Sequence, residues 1–98
     1  MHKIDLKAAA SALPRPWSST IVGKAAGANF KVLRMDSGAY PDERHAFDEA
    51  LFVVEEKMNL AIQGRVVAVR AGEVFIVPSG TPHAVAPGSS GTLVIIDR

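Results

Sequence analysis

The 98-residue chain has no cysteine. That removes disulfides, thiolate metal ligands and cysteine nucleophiles together, and it fits a cytoplasmic protein. No apolar run approaches the roughly 20 residues of a membrane-spanning helix, so no membrane partner is expected. The opening stretch, MHKIDLKAAASALP, carries Asp5 and Lys7 where an export signal needs unbroken apolar residues, and no such signal is read there. Charge of one sign is also lacking. Eleven Lys and Arg stand against 10 Asp and Glu, for a formal net charge of +1, and no basic stripe runs along the chain. Nucleic acid is therefore a poor partner. Repeats and low-complexity segments are missing too.

What is present is apolar. Hydrophobic residues make up 48% of the chain, too many for disorder and enough for one domain over residues 1–98 with a modest core. LKAAASAL reads as a short helical turn ended by Pro14 and Pro16. After it come STIVGK, NFKVLRM, ALFVVEE, MNLAIQ, RVVAVR, VFIVP, HAVA and TLVIID, all rich in Val, Ile, Leu or Phe and separated by Gly- and Pro-containing turns. AIQGRVV reads as a hairpin with Gly64 in its turn. Short, closely spaced strands of this kind predict an all-β sandwich or barrel. VFIVP is apolar on both faces, so one face is expected to meet the core and the other a second sheet or subunit.

The stretch ERHAFDEALFVVEE, residues 43–56, combines that core pattern with charge. Its second half is a buried strand. Its first half sets two acids and a histidine, Glu43, Glu49 and His45, at odd-numbered positions with Leu51 and Val53. In an extended chain these share one face. Burying such groups is costly without a partner, and an unpaired buried Glu has a raised pKa. A second histidine, His83, follows the PSGTP turn, where Pro82 stiffens the approach. Imidazole plus carboxylate is a donor set for divalent Mn, Fe, Zn or Ni. Asp42, within YPDER, has the composition of a solvated turn, and Trp17 reads as a packing or interface anchor.

These two segments resemble the two motifs of the cupins. GAYPDERHAFDEALFVVEE is similar to the first motif, with Gly38 opening it, His45 in place of the second histidine and Glu49 in place of the metal-binding glutamate. GEVFIVPSGTPH is similar to the second, with Gly72, Pro78, Gly80 and His83 at the expected spacing. Three positions depart. Glu43 stands where the first histidine belongs, Glu56 where a turn glycine is usual, and Pro87 where an asparagine often follows the last histidine. The resemblance implies a β-barrel of jelly-roll (double-stranded β-helix) type, often a homodimer, with a divalent metal held by three histidines and a glutamate. Carried over, the metal candidates are His45, Glu49, His83 and Glu43.

If Glu43 binds, two imidazoles and two carboxylates form a neutral, harder donor set around a divalent ion, favouring Mn or Fe over Cu. Without metal, Glu43 and Glu49 would repel. A positive φ at Glu56 would cost ~1 kcal/mol relative to glycine, and a turn built some other way is expected there. Three functional readings stay open. One is a metal-dependent protein acting on, or sensing, a small molecule. Another is a metal-free binding module whose interior is lined by Leu51, Val53 and Phe75 or Val77. The third is a structural dimer module.

Overall fold

The computed structural model describes residues 2–98. One short helix, α1 (Leu6–Ser11), precedes eight strands. They are β1 (Thr20–Ala25), β2 (Ala28–Met35), β3 (Tyr40–Glu43), β4 (Glu49–Ile62), β5 (Arg65–Arg70), β6 (Val74–Val77), β7 (His83–Val85) and β8 (Ser90–Asp97). All pairings are antiparallel, and the ladder runs β1-β2-β8-β4-β7-β3, with β5 and β6 also attached to β4. The sheet curls around one core, as the all-β reading expects.

Helix α1 starts where Asp5 caps it, its carboxylate accepting from the Ala8 N–H at 3.0 Å. Arg34 reaches back to its far end and donates to the carbonyls of Leu13 (2.7 Å) and Ala10 (3.3 Å). The helix covers the outer face of β2 and β8, packing Ala10 on Val32 and Val94. The tight turns are chemically legible. Gln63 and Gly64, at φ 50° and 75°, join β4 to β5, as Gly64 predicted. Ala26 and Gly27, at φ 52° and 75°, join β1 to β2 in the same way.

β4 organises the barrel. ALFVVEE and MNLAIQ, two segments in the sequence reading, form this single strand. Its first half pairs with β8 and β6, and its second with β5 and β7. Between them the register against β8 slips, between Val53 and Glu55, and Glu56 takes φ 65°. The positive φ corrects the expectation that this position avoids it. The slip reverses the parity of the strand. Glu49, Leu51 and Val53 are buried before it, and Met58, Leu60 and Ile62 after it. Gly91, at φ 97°, lies opposite Glu56, where a side chain would run into the Glu55 carbonyl.

The bend brings both ends of β4 to one residue. Ile62 pairs with His83 in the ladder, and the carboxylate of Glu49 touches the His83 ring. The inner core holds Leu33, Met35, Leu51, Val53, Met58, Leu60 and Leu93. The two-faced apolarity of VFIVP also appears: Val77 is buried, while Val74 and Ile76 are 52% and 55% exposed on the outer face beside Phe52.

Candidate metal and ligand site

The four residues singled out in the sequence converge at one end of the core. They do not do so by sharing one extended strand. β3 stops at Glu43, residues 44–48 form a connection, and β4 starts at Glu49. Convergence comes from pairing and stitching. Glu43 pairs with His83 in the β3–β7 ladder. The connection is tied to the 78–82 turn by the Gly80 N–H donating to the His45 carbonyl at 2.7 Å, and by the Ser79 N–H donating to Asp48 Oδ1 at 2.8 Å. Gly80 has φ 76°, which allows that close approach of backbone.

Glu49 addresses both rings. Its Oε1 lies 3.1 Å from His83 Nε2, and its Oε2 lies 3.5 Å from His45 Nε2. Glu43 Oε2 lies 3.5 Å from the same His45 nitrogen. Donor atoms of Glu43, His45 and His83 all fall within 4.8 Å of one another. Glu49 and His83 side chains are only 5% exposed, whereas Glu43 and His45 sit nearer the solvent at 39% and 28%. His45 also stacks on Phe47, with ring centroids 5.1 Å apart.

The hydrogen-bonding pattern leaves a charge to be supplied. His83 Nδ1 lies 3.1 Å from the Thr81 carbonyl, which can only accept, so the ring proton belongs on Nδ1. In the neutral ring, Nε2 then carries a lone pair and faces a carboxylate oxygen, another acceptor. Among the described residues, His45 Nε2 is buried with no hydrogen-bond partner. The His83 lone pair and two carboxylates, with His45 Nε2 beside them, are aimed at one small volume and call for a cation, either a proton or a metal ion. Burial holds the Glu49 carboxyl above the ordinary carboxylate range. The nearby His45 and His83 oppose that shift, and Glu43 adds to it. This is the direction expected for a buried Glu.

A cavity of about 90 Å³ opens beneath the cluster. Glu43, Glu49 and His83 form its polar end, and Leu33, Leu51, Met58, Leu60 and Leu93 are among the residues of its apolar wall. Of the interior residues expected from the sequence, Leu51 lines it. Val53 and Val77 are fully buried core residues instead, and Phe75 packs half-buried against that core.

Two lining residues were not read as part of a site. Tyr40 stands beside Glu43, whose charge holds the phenol above its ordinary pKa, with burial adding to the shift. A register slip between Tyr40 and Glu43 puts them together, and no periodicity in the sequence signals it. Trp17, the only tryptophan, does act as a packing anchor. It also reaches the cavity, with its ring centroid 5.5 Å from that of Tyr40 and its indole N–H donating to Asp36 at 2.7 Å. Its rarity in the chain was the available signal.

A family model described as a cupin domain matches residues 32–97. The chain belongs to the cupin family. The match includes both motif segments, the second half of β2 and every strand from β3 to β8. Among solved structures, a cupin-2 domain protein from Shewanella frigidimarina is similar at 24% identity, covering 97% of this chain and 94% of that one, with a TM-score of 0.86. A protein from Neisseria meningitidis is similar at 28% identity over 98% of both chains, with a TM-score of 0.83. A putative mannose-6-phosphate isomerase from Ralstonia eutropha shares the fold at 18% identity, over 88% and 86% of the chains, with a TM-score of 0.72. No curated protein matches the chain. Among the described residues, no helix is long and apolar enough to cross a membrane.

Proposed function

We propose that this cupin binds a divalent metal ion through His45, Glu49, His83 and Glu43, and takes a small molecule into the cavity beneath them. The observation that carries this reading is the acceptor-to-acceptor contact of His83 Nε2 with Glu49 Oε1 at 3.1 Å, beside His45 Nε2, which faces Glu43 and Glu49 at 3.5 Å. The Thr81 carbonyl fixes His83 in the tautomer a ligand needs. Glu49, buried, turns one carboxylate oxygen to His83 and the other to His45. Glu43 and His45, nearer the solvent, stand at the entrance. With two carboxylates present the donor set is harder and shifts preference toward Mn or Fe over Cu, with Zn or Ni also accommodated by the imidazoles. Such an ion supplies Lewis-acid polarisation of a substrate oxygen. Elemental analysis of untagged wild-type, His45→Ala and His83→Ala protein tests the assignment. Metal is expected in the first and largely lost from the other two; full loading in both variants overturns it.

The outer strip of Phe52, Val74 and Ile76 supports a homodimer. Phe52 pairs with Val74 and Ala50 with Ile76 across β4 and β6, so the exposed side chains form one continuous apolar band. Sedimentation of wild type and Val74→Asp tests this. A dimer converted to monomer is expected, and a monomeric wild type rejects it.

A further inference from the structure

Size, wall and charge of the cavity together select a class of ligand. We infer that the molecule bound is compact, uncharged and largely apolar, with one or two oxygen atoms turned to Glu43, Glu49 and His83. This rests on the small-molecule reading above and narrows it.

Size comes first. A dry cavity of about 150 Å³ takes up benzene. At about 90 Å³, this one holds a body of roughly four or five non-hydrogen atoms. A hexose, and still more a sugar phosphate, exceeds it. The wall comes second. Leu33, Met58, Leu60 and Leu93 offer no hydrogen bond, and the Ser19 and Tyr40 hydroxyls that also line the cavity are too few for a polyhydroxylated molecule, whose remaining buried hydroxyls would go unpaired.

Charge decides the rest. Among the described residues, no Lys or Arg lines the cavity. Lys31, on the same side of β2 as Leu33, is held 2.8 Å from the buried carboxylate of Asp97. Arg34 is spent on the carbonyls behind α1. At the polar end, Glu43 and Glu49 cancel the charge of a divalent ion, and the imidazoles add none while neutral. An anion entering the cavity therefore meets two carboxylates and no surplus positive charge. Its burial costs more than that of a neutral molecule of the same shape. An amide, ketone, aldehyde or alcohol keeps the oxygen and avoids that cost.

Propionamide and propionate have the same heavy-atom skeleton and differ in charge. Zn²⁺-treated protein is titrated with each, following the indole N–H resonance of Trp17, which lines the cavity and is the sole tryptophan. Propionamide is expected to shift the signal saturably, and to bind about tenfold or more tightly than propionate. Glucose 6-phosphate is expected to leave the signal unmoved. Propionate binding as well as propionamide, a saturable response to glucose 6-phosphate, or no saturable response to propionamide would each overturn the inference. Zinc content of the same sample reports on the metal separately. Zinc uptake with the wrong order of probes removes the ligand class alone. The right order without zinc removes the metal and keeps the class.

Discussion

Glu49 and His83 lie 34 positions apart in the chain, yet their side chains meet at 3.1 Å in a buried environment, acceptor facing acceptor. A cation between them relieves that contact only in the folded protein, because the unfolded chain scatters the donors. Saturating Mn²⁺ or Zn²⁺ at one hundred times its Kd should stabilise the fold by about 2.7 kcal/mol. For a domain of this size that is a rise of roughly 10 °C or more in Tm. Calorimetry before and after chelation measures it, and an unchanged Tm after verified metal removal counts against the site.

The same burial fixes a pH dependence for the chelated protein. The Glu49 carboxyl is raised above its ordinary value of 4.5 by desolvation. Its folded form holds a proton that the unfolded form has released, so its contribution to stability is full below 4.5 and is lost as pH rises through the higher folded value. Glu49→Gln removes that titration. Chelated wild type should lose stability relative to this variant as pH rises above 4.5, and parallel curves from pH 4 to 8 would contradict the assignment.

Gly91→Ala should be among the most damaging single substitutions outside the site. The new Cβ would overlap the Glu55 carbonyl oxygen and come within 2.9 Å of the Glu56 Cβ, from a backbone at φ 97°. Both surfaces belong to paired strands that cannot move apart cheaply. A loss of about 3 kcal/mol or more is expected in urea denaturation. A loss below about 1 kcal/mol would mean the β4–β8 pairing is looser than described.

Glu56→Gly should act in the opposite sense. Glu56 occupies φ 65°, where a Cβ is strained and glycine is not. The relief exceeds the added entropy of the unfolded chain, and a gain of about 0.5–1 kcal/mol is expected. Chemical denaturation reads this directly, and a net loss would show that the Glu56 side chain contributes more than the strain costs.

Much of this protein was legible in its sequence. Apolar runs gave most of the strands, Gly64 gave a hairpin, and LKAAAS gave the helix. The His and Glu residues do come together, but for a reason only partly read in the sequence. Odd parity assumed one extended segment from 43 to 49, but residues 44–48 are a connection, and hydrogen bonds to Ser79 and Gly80 bring the groups together. Long-range stitching of that kind has no local signature. β3 was hidden because Pro41 and its charged neighbours suit a turn as well as an edge strand, where a missing N–H costs nothing. β4 was divided because Glu55, Glu56 and Lys57 look like a turn, whereas the strand passes through them by a bulge that Gly91 accommodates from the neighbouring strand.

That bulge has a mechanical consequence. Both termini of β4 reach His83, one through its ladder and the other through the Glu49 carboxylate, so the strand acts as a pair of tongs hinged at Glu56. The span between the jaws is set by the hinge angle, well away from the donors themselves. Opening it by even a few degrees would spread the imidazole and carboxylate groups, which makes the Glu56–Gly91 crossing a remote adjustment of what the jaws can grip.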